Sequence, residues 1–205
     1  MPIAVYPSRR SLSERSLKGT HIFHINYHLN FMDLNMDTNC FWITGLSSAG
    51  KTTLSKMLSD KLRSEGKPVI FLDGDELRDV FSNKGYSRDE RLQTALKYSR
   101  LCSLIVKQKI NVVIGVIGLF NEVYQCNRQN IPGYIEIFVD VPMEELIKRD
   151  PKNLYEKAMA GQIKNVYGID LRVEYPKNPD VHLVWSPGKS IENMMEDLLN
   201  KISKI

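Results

Sequence analysis

Cysteine, net charge and long apolar runs are all scarce in this 205-residue chain. Its three cysteines, Cys40, Cys102 and Cys126, lack C-x-x-C spacing, which excludes a disulfide framework and argues against a zinc site. No stretch approaches the ~18 consecutive apolar residues that a membrane helix needs. The formal net charge is only +4. We therefore expect a cytoplasmic protein without a membrane or nucleic-acid partner, whose basic residues serve small anionic ligands.

Apolar periodicity is absent from residues 1–38, which hold basic residues among serines and then a stretch rich in histidine and asparagine. A secretory peptide would need an apolar core of ~7–15 residues, and none is present. A basic, serine-rich transit peptide and a true start at Met32 or Met36 are left open, and we favour a disordered or spurious tail. His21, His24 and His28 would share one helical face, but no carboxylate or cysteine completes a metal site with them.

From Cys40 onward, short apolar runs alternate with amphipathic stretches, which is the pattern of a parallel βαβ sheet. The predicted strands are Cys40–Thr44, Val69–Leu72, Asn111–Ile117, Tyr134–Val139 and His182–Trp185. The predicted helices are Lys51–Ser64, Glu76–Phe81, Asp89–Gln108, Glu122–Asn130, Pro142–Lys148, Lys152–Ala160 and Ser190–Ile202. With 42% hydrophobic residues and no internal repeat, residues 39–205 are expected to form one α/β domain with a five-stranded parallel sheet and helices on both faces.

A phosphate-binding loop is predicted between the first strand and the first helix. Its sequence, Gly45-Leu46-Ser47-Ser48-Ala49-Gly50-Lys51-Thr52, matches G-x-x-x-x-G-K-[ST] in the required strand-to-helix context. The two glycines let backbone N–H groups face phosphate oxygens, and the helix N-terminus adds a positive dipole. Lys51 would reach the β- and γ-phosphates of ATP, and the Thr52 hydroxyl would bind Mg²⁺. A turn that merely joins a strand to a helix would not need the lysine and threonine in this register.

An acidic turn follows the second predicted strand. In many P-loop proteins a carboxylate ends the third strand, but Val112–Ile117 has none, and the nearest acidic group is Asp73-Gly74-Asp75. If the strands are neighbours, Asp75 would lie close to the phosphate loop as a base for an acceptor hydroxyl and as a magnesium anchor. An Asp-Gly-Asp can also be a tight turn that caps the next helix, and Asp75 can do both.

Several motifs together resemble the adenylylsulfate kinase (APS kinase) family over about residues 40–185. These are Gly45 to Thr53, Leu72-Asp73-Gly74-Asp75-Glu76-Leu77-Arg78, Gly85-Tyr86-Ser87, Arg91, Phe138-Val139-Asp140-Val141-Pro142, Arg149-Asp150-Pro151-Lys152-Asn153-Leu154-Tyr155, Ala160-Gly161-Gln162-Ile163-Lys164-Asn165 and Gly168-Ile169-Asp170. The resemblance implies a P-loop NTPase fold, ATP and Mg²⁺ as cofactors, and transfer of a phosphate to the ribose 3′-hydroxyl of adenylylsulfate in sulfate assimilation. A homodimer is left open.

The same resemblance implies a role for individual residues. The loop through Thr53, together with Arg149, would bind ATP, and Arg149 to Asn165 would form a mobile lid with Lys164 near the acceptor. Arg78 and Arg91 would grip the acidic group of the acceptor, while Tyr86 would stack on its base. Asp73, Thr94 and Ile117 are assigned to the acceptor side as well.

Three departures from the family pattern all fall on the acceptor side. The family's I-S-P-[YH]-R reads Ile117-Gly118-Leu119-Phe120-Asn121, so its serine and arginine are missing and a phosphoserine route is excluded. The asparagine of R-x-x-N-I-R-R becomes Thr94, and the lid aromatic aligns with Val166, one position before Tyr167. We interpret the chain as a divergent member with adenylylsulfate as the default acceptor.

Other functions stay open to different degrees. A cytidine diphosphoramidate-type nucleotide of capsule synthesis is the alternative acceptor, because Leu119-Phe120 and Asn127-Arg128-Gln129-Asn130 resemble a variant pattern among APS kinase-like proteins. A non-catalytic nucleotide-binding module is a second alternative, although Lys51, Thr52 and Asp75 are retained. A GTPase is disfavoured because no N-K-x-D follows Phe138–Val141.

Overall fold

The computed structural model describes residues 38–205. The predicted N-terminal tail, including the histidine group and the alternative starts, lies outside the described residues apart from its last position. The division into residues 1–38 and 39–205 therefore stays a prediction.

All the predicted strands and helices are present in the described part of the chain. The strands are β1 Cys40–Thr44, β2 Val69–Asp73, β3 Asn111–Val116, β4 Tyr134–Asp140 and β5 Val181–Val184. The helices are α1 Lys51–Ser64, α2 Gly74–Val80, α3 Arg88–Val106, α4 Asn121–Asn130, α5 Met143–Arg149, α6 Leu154–Met159 and α7 Ile191–Ile202. Where a boundary differs from the prediction the shift is small. Helix α6, for example, begins at Leu154 rather than at Lys152, because Asn153 before it has φ 50°.

The five strands form one parallel sheet in the order β2-β3-β1-β4-β5, which confirms the predicted fold class. Strand β1 is central and pairs with β3 and β4, and every residue of β1 and β3 is buried. Helices α1 and α7 contact each other, and α3 contacts α4 and the central strands. Parallel strands buried on both faces read as continuous apolar runs, as these two do. Ligands in such sheets bind beyond the carboxyl ends of the strands.

No helix within residues 38–205 has the length and hydropathy needed to cross a bilayer. All three cysteines are free thiols, and Cys40 and Cys102 are buried.

Helix α1, which follows the phosphate loop, approaches β3 very closely. A Cβ atom at Gly115 of β3 would lie 2.7 Å from the Ser55 hydroxyl oxygen and 3.5 Å from the Ser55 Cβ. That hydroxyl is buried and has no hydrogen-bond partner in the described part of the chain. The small residue at position 115 therefore sets the distance between the sheet and the helix that carries Lys51 and Thr52.

We predict that Gly115→Ala destabilises the fold by ~1–3 kcal/mol, because overpacking a buried contact forces α1 away from β3. Ser55→Ala by itself should be neutral or stabilising, since it removes an unpartnered buried hydroxyl. Urea unfolding midpoints would measure both effects.

The double variant Gly115→Ala/Ser55→Ala provides the control. It should recover part of the loss, because the nearest remaining atom lies at an ordinary contact distance. Equal midpoints for the single and double variants would show that this contact does not limit the packing.

Candidate active site

The loop between β1 and α1 turns its backbone toward the carboxyl edge of the sheet. Gly50 has φ 92° and Ser48 has φ 64°, both in the left-handed region. No side chain caps the start of α1, so its first N–H groups are available to phosphate oxygens. A Cβ at Gly45 would lie 2.6 Å from the carbonyl oxygen of Val139, which explains why the first position of the loop has no side chain.

Lys51 is the cation of this loop. Its Nζ donates to the carbonyl oxygen of Leu46 at 2.7 Å, within the loop itself. Burial lowers the pKa of Lys51 to about 8, although Asp75 and Asp73 act in the opposite direction. A half-buried ammonium without a full counter-charge is costly, and a bound phosphate would supply that charge.

The two carboxylates of the acidic turn have different partners. Asp73 accepts the Thr52 hydroxyl proton at 2.7 Å through Oδ2, and its Oδ1 accepts the Asp75 N–H at 2.8 Å as the N-cap of α2. Asp75 instead accepts from Lys152 Nζ at 2.6 Å, and both of these side chains are largely exposed. The structure thus places Asp73, and not Asp75, against the hydroxyl predicted to bind magnesium.

Arg78 and Arg91 flank the exposed ring of Tyr86. The guanidinium of Arg78 lies 4.5 Å from the ring centroid and donates to the carbonyl oxygen of Gly85 at 2.8 Å. Arg91 lies 5.1 Å from the same centroid, and its Nη2 donates to the carbonyl oxygen of Asn165 at 2.8 Å. Burial, with a further contribution from the nearby Arg78, lowers the pKa of Arg91. Two like charges held together in this way favour an anion as ligand.

Hydrogen bonds hold both ends of the segment predicted to form the lid. Asp150 accepts the N–H groups of Leu154 and Tyr155 at 2.8 Å each and so caps α6 from outside the helix. The Tyr155 hydroxyl donates to the carbonyl oxygen of Ser47 in the phosphate loop at 3.0 Å. At the other end, the bond from Arg91 to Asn165 joins this segment to α3.

Arg149 is the first residue of this segment and the last residue of α5. Its guanidinium lies 5.1 Å from the centroid of the Trp185 ring, and its Nε donates to Glu145 at 2.8 Å.

The contacts around Gly118 explain the sequence of the segment that replaces the family's serine motif. Gly118 has φ 42°, and a Cβ there would lie 3.2 Å from the buried ring of Trp42. The N–H of Asn121 donates to Glu174, which also accepts from Arg88 at 2.8 Å. A serine at position 118 would be crowded and strained, which explains why this position holds glycine.

The aromatic residue of the lid comes one position later in this sequence than in the family pattern, and it is this later residue that lines the cleft. Val166 is buried and does not line the main cleft, whereas Tyr167 does. The Tyr167 ring packs edge-on against Phe120 with 5.9 Å between centroids, and the guanidinium of Arg91 lies 5.1 Å from the Tyr167 centroid. Tyr167 therefore provides the aromatic wall of this side of the cleft.

One cleft of about 670 Å³ joins the phosphate loop to the acidic turn and the arginine pair. The predicted site residues that line it are Ser47, Ser48, Gly50, Lys51, Thr52, Thr53, Asp73, Asp75, Arg78, Tyr86, Arg91, Thr94, Ile117 and Arg149. Four predicted residues do not line the cleft. Gly45, Leu46 and Ala49 are buried residues of the phosphate loop itself, and Lys164 is exposed outside the cleft. The first three could contribute only through their backbone, and a role for Lys164 stays a prediction.

Other lining residues were not among the predicted site residues. They include Tyr98, Phe120, Lys152, Tyr167 and Ile191. Tyr98 could have been found from spacing, because it lies one helical turn after Thr94 and two turns after Arg91. Ile191 could not, because it comes from the N-terminus of α7, far away along the chain.

The fold and this site together define a P-loop phosphotransferase, and comparison with known proteins gives the family. A family model described as adenylylsulphate kinase matches residues 37–184, well over half of the chain. The chain therefore belongs to the adenylylsulphate kinase family, which confirms the resemblance and the predicted kinase class.

Three relatives illustrate the match. A cytidine diphosphoramidate kinase from Campylobacter jejuni is 37% identical over 162 residues, covering 79% of this chain and 95% of that protein. An adenylyl-sulfate kinase from Picosynechococcus is 34% identical over 165 residues, covering 80% and 93%. The structure of Mycobacterium tuberculosis APS kinase in complex with AMPPNP and APS is 31% identical, with a TM-score of 0.75, and covers 82% of this chain and 98% of that one.

We predict that Lys51→Met loses turnover but makes the ligand-free protein more stable at pH 7 by ~1–3 kcal/mol, since lowering a pKa by one costs the charged form ~1.4 kcal/mol. The pKa of Lys51 is lowered from 10.5 to about 8, so the unfolded chain binds more protons between these values. The free energy of unfolding of the wild type therefore rises between about pH 8 and pH 10.5. The stability advantage of Lys51→Met over the wild type should shrink over the same range. Urea midpoints at pH 7 and about pH 10 would measure it. A wild type more stable than the variant at pH 7 would contradict the prediction.

We predict that Asp150→Ala raises the KM for ATP about threefold to tenfold, because losing a helix cap costs ~0.5–2 kcal/mol and loosens α6 over the phosphate loop. Glu156→Ala is the matched control, because Glu156 is an exposed residue of the same helix that caps nothing. Steady-state kinetics and the rate of proteolysis near α6 would report the change. The prediction fails if the two variants behave alike.

Proposed function

We propose that this protein transfers the γ-phosphate of ATP to a ribose 3′-hydroxyl of a small activated nucleotide, with adenylylsulfate as the acceptor. The observation that carries the proposal is the continuity of the cleft. The phosphate loop with Lys51 and Thr52, the carboxylates of Asp73 and Asp75, and the arginine pair with Tyr86 all open into one space. A volume of about 670 Å³ is in the ordinary range for small-molecule sites.

The donor half is built for the triphosphate of ATP. The uncapped N-terminus of α1 and the half-buried Lys51 ammonium would supply positive charge to the β- and γ-phosphates. Mg²⁺ fits this site, because the Thr52 hydroxyl and the Asp73 carboxylate already lie 2.7 Å apart and both are hard oxygen ligands. No group of three or more acidic, histidine or cysteine residues in the described part of the chain forms a metal site of its own. Bound Mg²⁺ would neutralise charge on the phosphates while these few protein oxygens and the nucleotide hold it.

Asp75 is the group best placed to act as the base. Asp73 is occupied by the Thr52 hydroxyl and by the cap of α2, whereas among residues 38–205 the carboxylate of Asp75 has only the exposed Lys152 as a hydrogen-bond partner. In the proposed step the acceptor oxygen attacks the γ-phosphorus, its proton passes to Asp75, and the bond to the β-phosphate oxygen breaks to release ADP. The Lys152 ammonium must then leave Asp75, and because Lys152 also lines the cleft, a bound phosphate could take the place of Asp75 as its counter-charge.

A second candidate acceptor is a cytidine diphosphoramidate-type nucleotide of capsule synthesis. Two observations favour it: the relative from Campylobacter jejuni carries that name, and the residues that differ from the usual family pattern all lie on the acceptor side. Gly118 fits against Trp42, and Tyr167 takes the place expected for the aromatic at position 166. The donor half keeps the family residues, so both candidates use the same chemistry.

We place the reaction in the cytoplasm, because the three cysteines are unpaired thiols. A homodimer stays a prediction, and light scattering of the purified protein tests it.

The decisive experiment supplies ATP and Mg²⁺ with adenylylsulfate or with cytidine diphosphoramidate and follows ADP release. We expect turnover with adenylylsulfate and an ATP-dependent 3′-phosphorylated product. Turnover with the cytidine compound alone would replace the first acceptor by the second. No turnover with either compound would leave only a non-catalytic nucleotide-binding module.

We predict that Asp75→Asn lowers kcat by ~10²–10⁴-fold, the usual contribution of a positioned base, while ATP binding is retained. Asp79→Asn is the matched control, because Asp79 is exposed on the same helix and does not line the cleft. Steady-state kinetics and a direct ATP-binding measurement would separate the two effects. An Asp75→Asn enzyme with full activity would remove Asp75 from the mechanism.

A further inference from the structure

Helix α3 presents one continuous face to the acceptor half of the cleft. Arg91, Thr94, Ala95 and Tyr98 all line it, and their spacing of three, four and seven residues is that of one helical face. Arg91 is already bound to the backbone on either side of the cleft, and Ala95 has no polar atom in its side chain. The remaining N–H groups of Arg91 suit an anion, so a neutral polar contact from this face must come from Thr94 or Tyr98.

The hydroxyl of Thr94 is not available to donate to a ligand. It donates its only proton to the carbonyl oxygen of Glu90 at 2.6 Å, one turn earlier in the helix. It also accepts a hydrogen bond from the side-chain amide of Asn83. The Thr94 side chain is 2% exposed, so these bonds hold it in place within the loop packing.

The hydroxyl of Tyr98, in contrast to that of Thr94, is available to a ligand. Its ring is 5% exposed and packs against Phe81, with 5.8 Å between the centroids, so its direction is fixed. The hydroxyl reaches the carbonyl oxygen of Gly74 at 3.3 Å, a long distance for an O–H donor. Gly74 lies between Asp73 and Asp75, so this hydroxyl stands beside the acidic turn. Within residues 38–205 no group donates to it.

The Tyr98 hydroxyl stays neutral at working pH. Burial raises the pKa of Tyr98 to about 12, and the carboxylates of Asp75 and Asp73 act in the same direction. A neutral hydroxyl next to two carboxylates can donate to, or accept from, a sugar hydroxyl without competing for the proton that leaves the reacting oxygen.

We propose that the Tyr98 hydroxyl binds the acceptor ribose at the 2′-hydroxyl, beside the 3′-hydroxyl that is phosphorylated. This inference rests on the proposed function. A ribose offers two vicinal hydroxyls of similar reactivity, and the one that reacts must face Asp75 and the γ-phosphate. Tyr98 holds the other one, and so it selects the position of phosphorylation.

The test is a thermodynamic cycle that removes the Tyr98 hydroxyl and the 2′-hydroxyl of the acceptor, first singly and then together. Wild type and Tyr98→Phe are assayed with adenylylsulfate and with 2′-deoxyadenylylsulfate, and with the cytidine diphosphoramidate pair if that is the acceptor which wild type phosphorylates. We expect either single removal to lower kcat/KM about threefold to tenfold, as for one neutral hydrogen bond. Removing both should cost little more than removing one.

A second readout is the position of the new phosphate. Phosphorus NMR of the ribose product should show 3′-phosphate from wild type and a mixture of 2′- and 3′-phosphate from Tyr98→Phe. A purely structural role for Tyr98, as a support for Gly74, would make the two losses multiply and would leave the product position unchanged. That result would overturn the proposal.

Two controls keep the outcome interpretable. Tyr175→Phe removes the hydroxyl of an exposed tyrosine that does not line the cleft, and it should leave both rates unchanged. The ATP affinity of Tyr98→Phe should equal that of wild type, because its ring and the donor half are untouched. If wild type itself releases no ADP with any of these nucleotides, the proposed function fails, whereas turnover with multiplying losses rejects only the role of Tyr98.

Discussion

Strand β1 lies in the centre of the sheet, hydrogen-bonded along its whole length to β3 on one side and to β4 on the other. The phosphate loop continues directly from its carboxyl end at Thr44. Because every strand is parallel, the acidic turn after β2 and the segment after β3 emerge at the same edge. The close approach of Gly115 to Ser55 then fixes how far α1 stands from that edge. All the chemistry of the site depends on this one packing arrangement.

The reactive groups of the site are paired with one another within the chain. Lys51 donates to its own loop, Thr52 donates to Asp73, and Lys152 donates to Asp75. Asp73 is buried and Lys51 is half-buried, so these internal bonds satisfy groups that would otherwise lose part of their hydration without a partner. Substrates must exchange these partners for their own atoms. The lowered pKa of Lys51 indicates that its internal bond compensates only in part for the loss of water.

Local contacts accommodate each of the three departures from the family pattern on the proposed acceptor side. Gly118 gives room to Trp42, Tyr167 packs on Phe120, and the hydroxyl of Thr94 is bound within its own loop. All three lie in the half of the cleft that we propose for the acceptor, whereas the residues proposed for the donor half match the family pattern. This division is the reason that a second acceptor is proposed beside the first.

Much of the fold and of the donor site could be predicted from the sequence because the deciding signals are local. The G-x-x-x-x-G-K-[ST] run, the apolar strands and the acidic turn each lie within a few consecutive residues, and they indicate the fold class, the phosphate loop and the family. An element boundary moved where a local backbone feature intervened, as at Asn153 before α6. The sequence by itself thus determined the sheet, the loop and the kinase class.

Only the tertiary structure decided which groups meet. Nothing in the order of residues shows that Thr52 contacts Asp73 rather than Asp75, because the choice depends on how α1 and β2 pack. The availability of Tyr98, the commitment of Thr94 and the position of Ile191 at the cleft depend likewise on contacts between elements distant along the chain. Hydrogen-bond partners are set by distances of a few ångströms across the fold, and those distances are a property of packing and not of spacing in sequence.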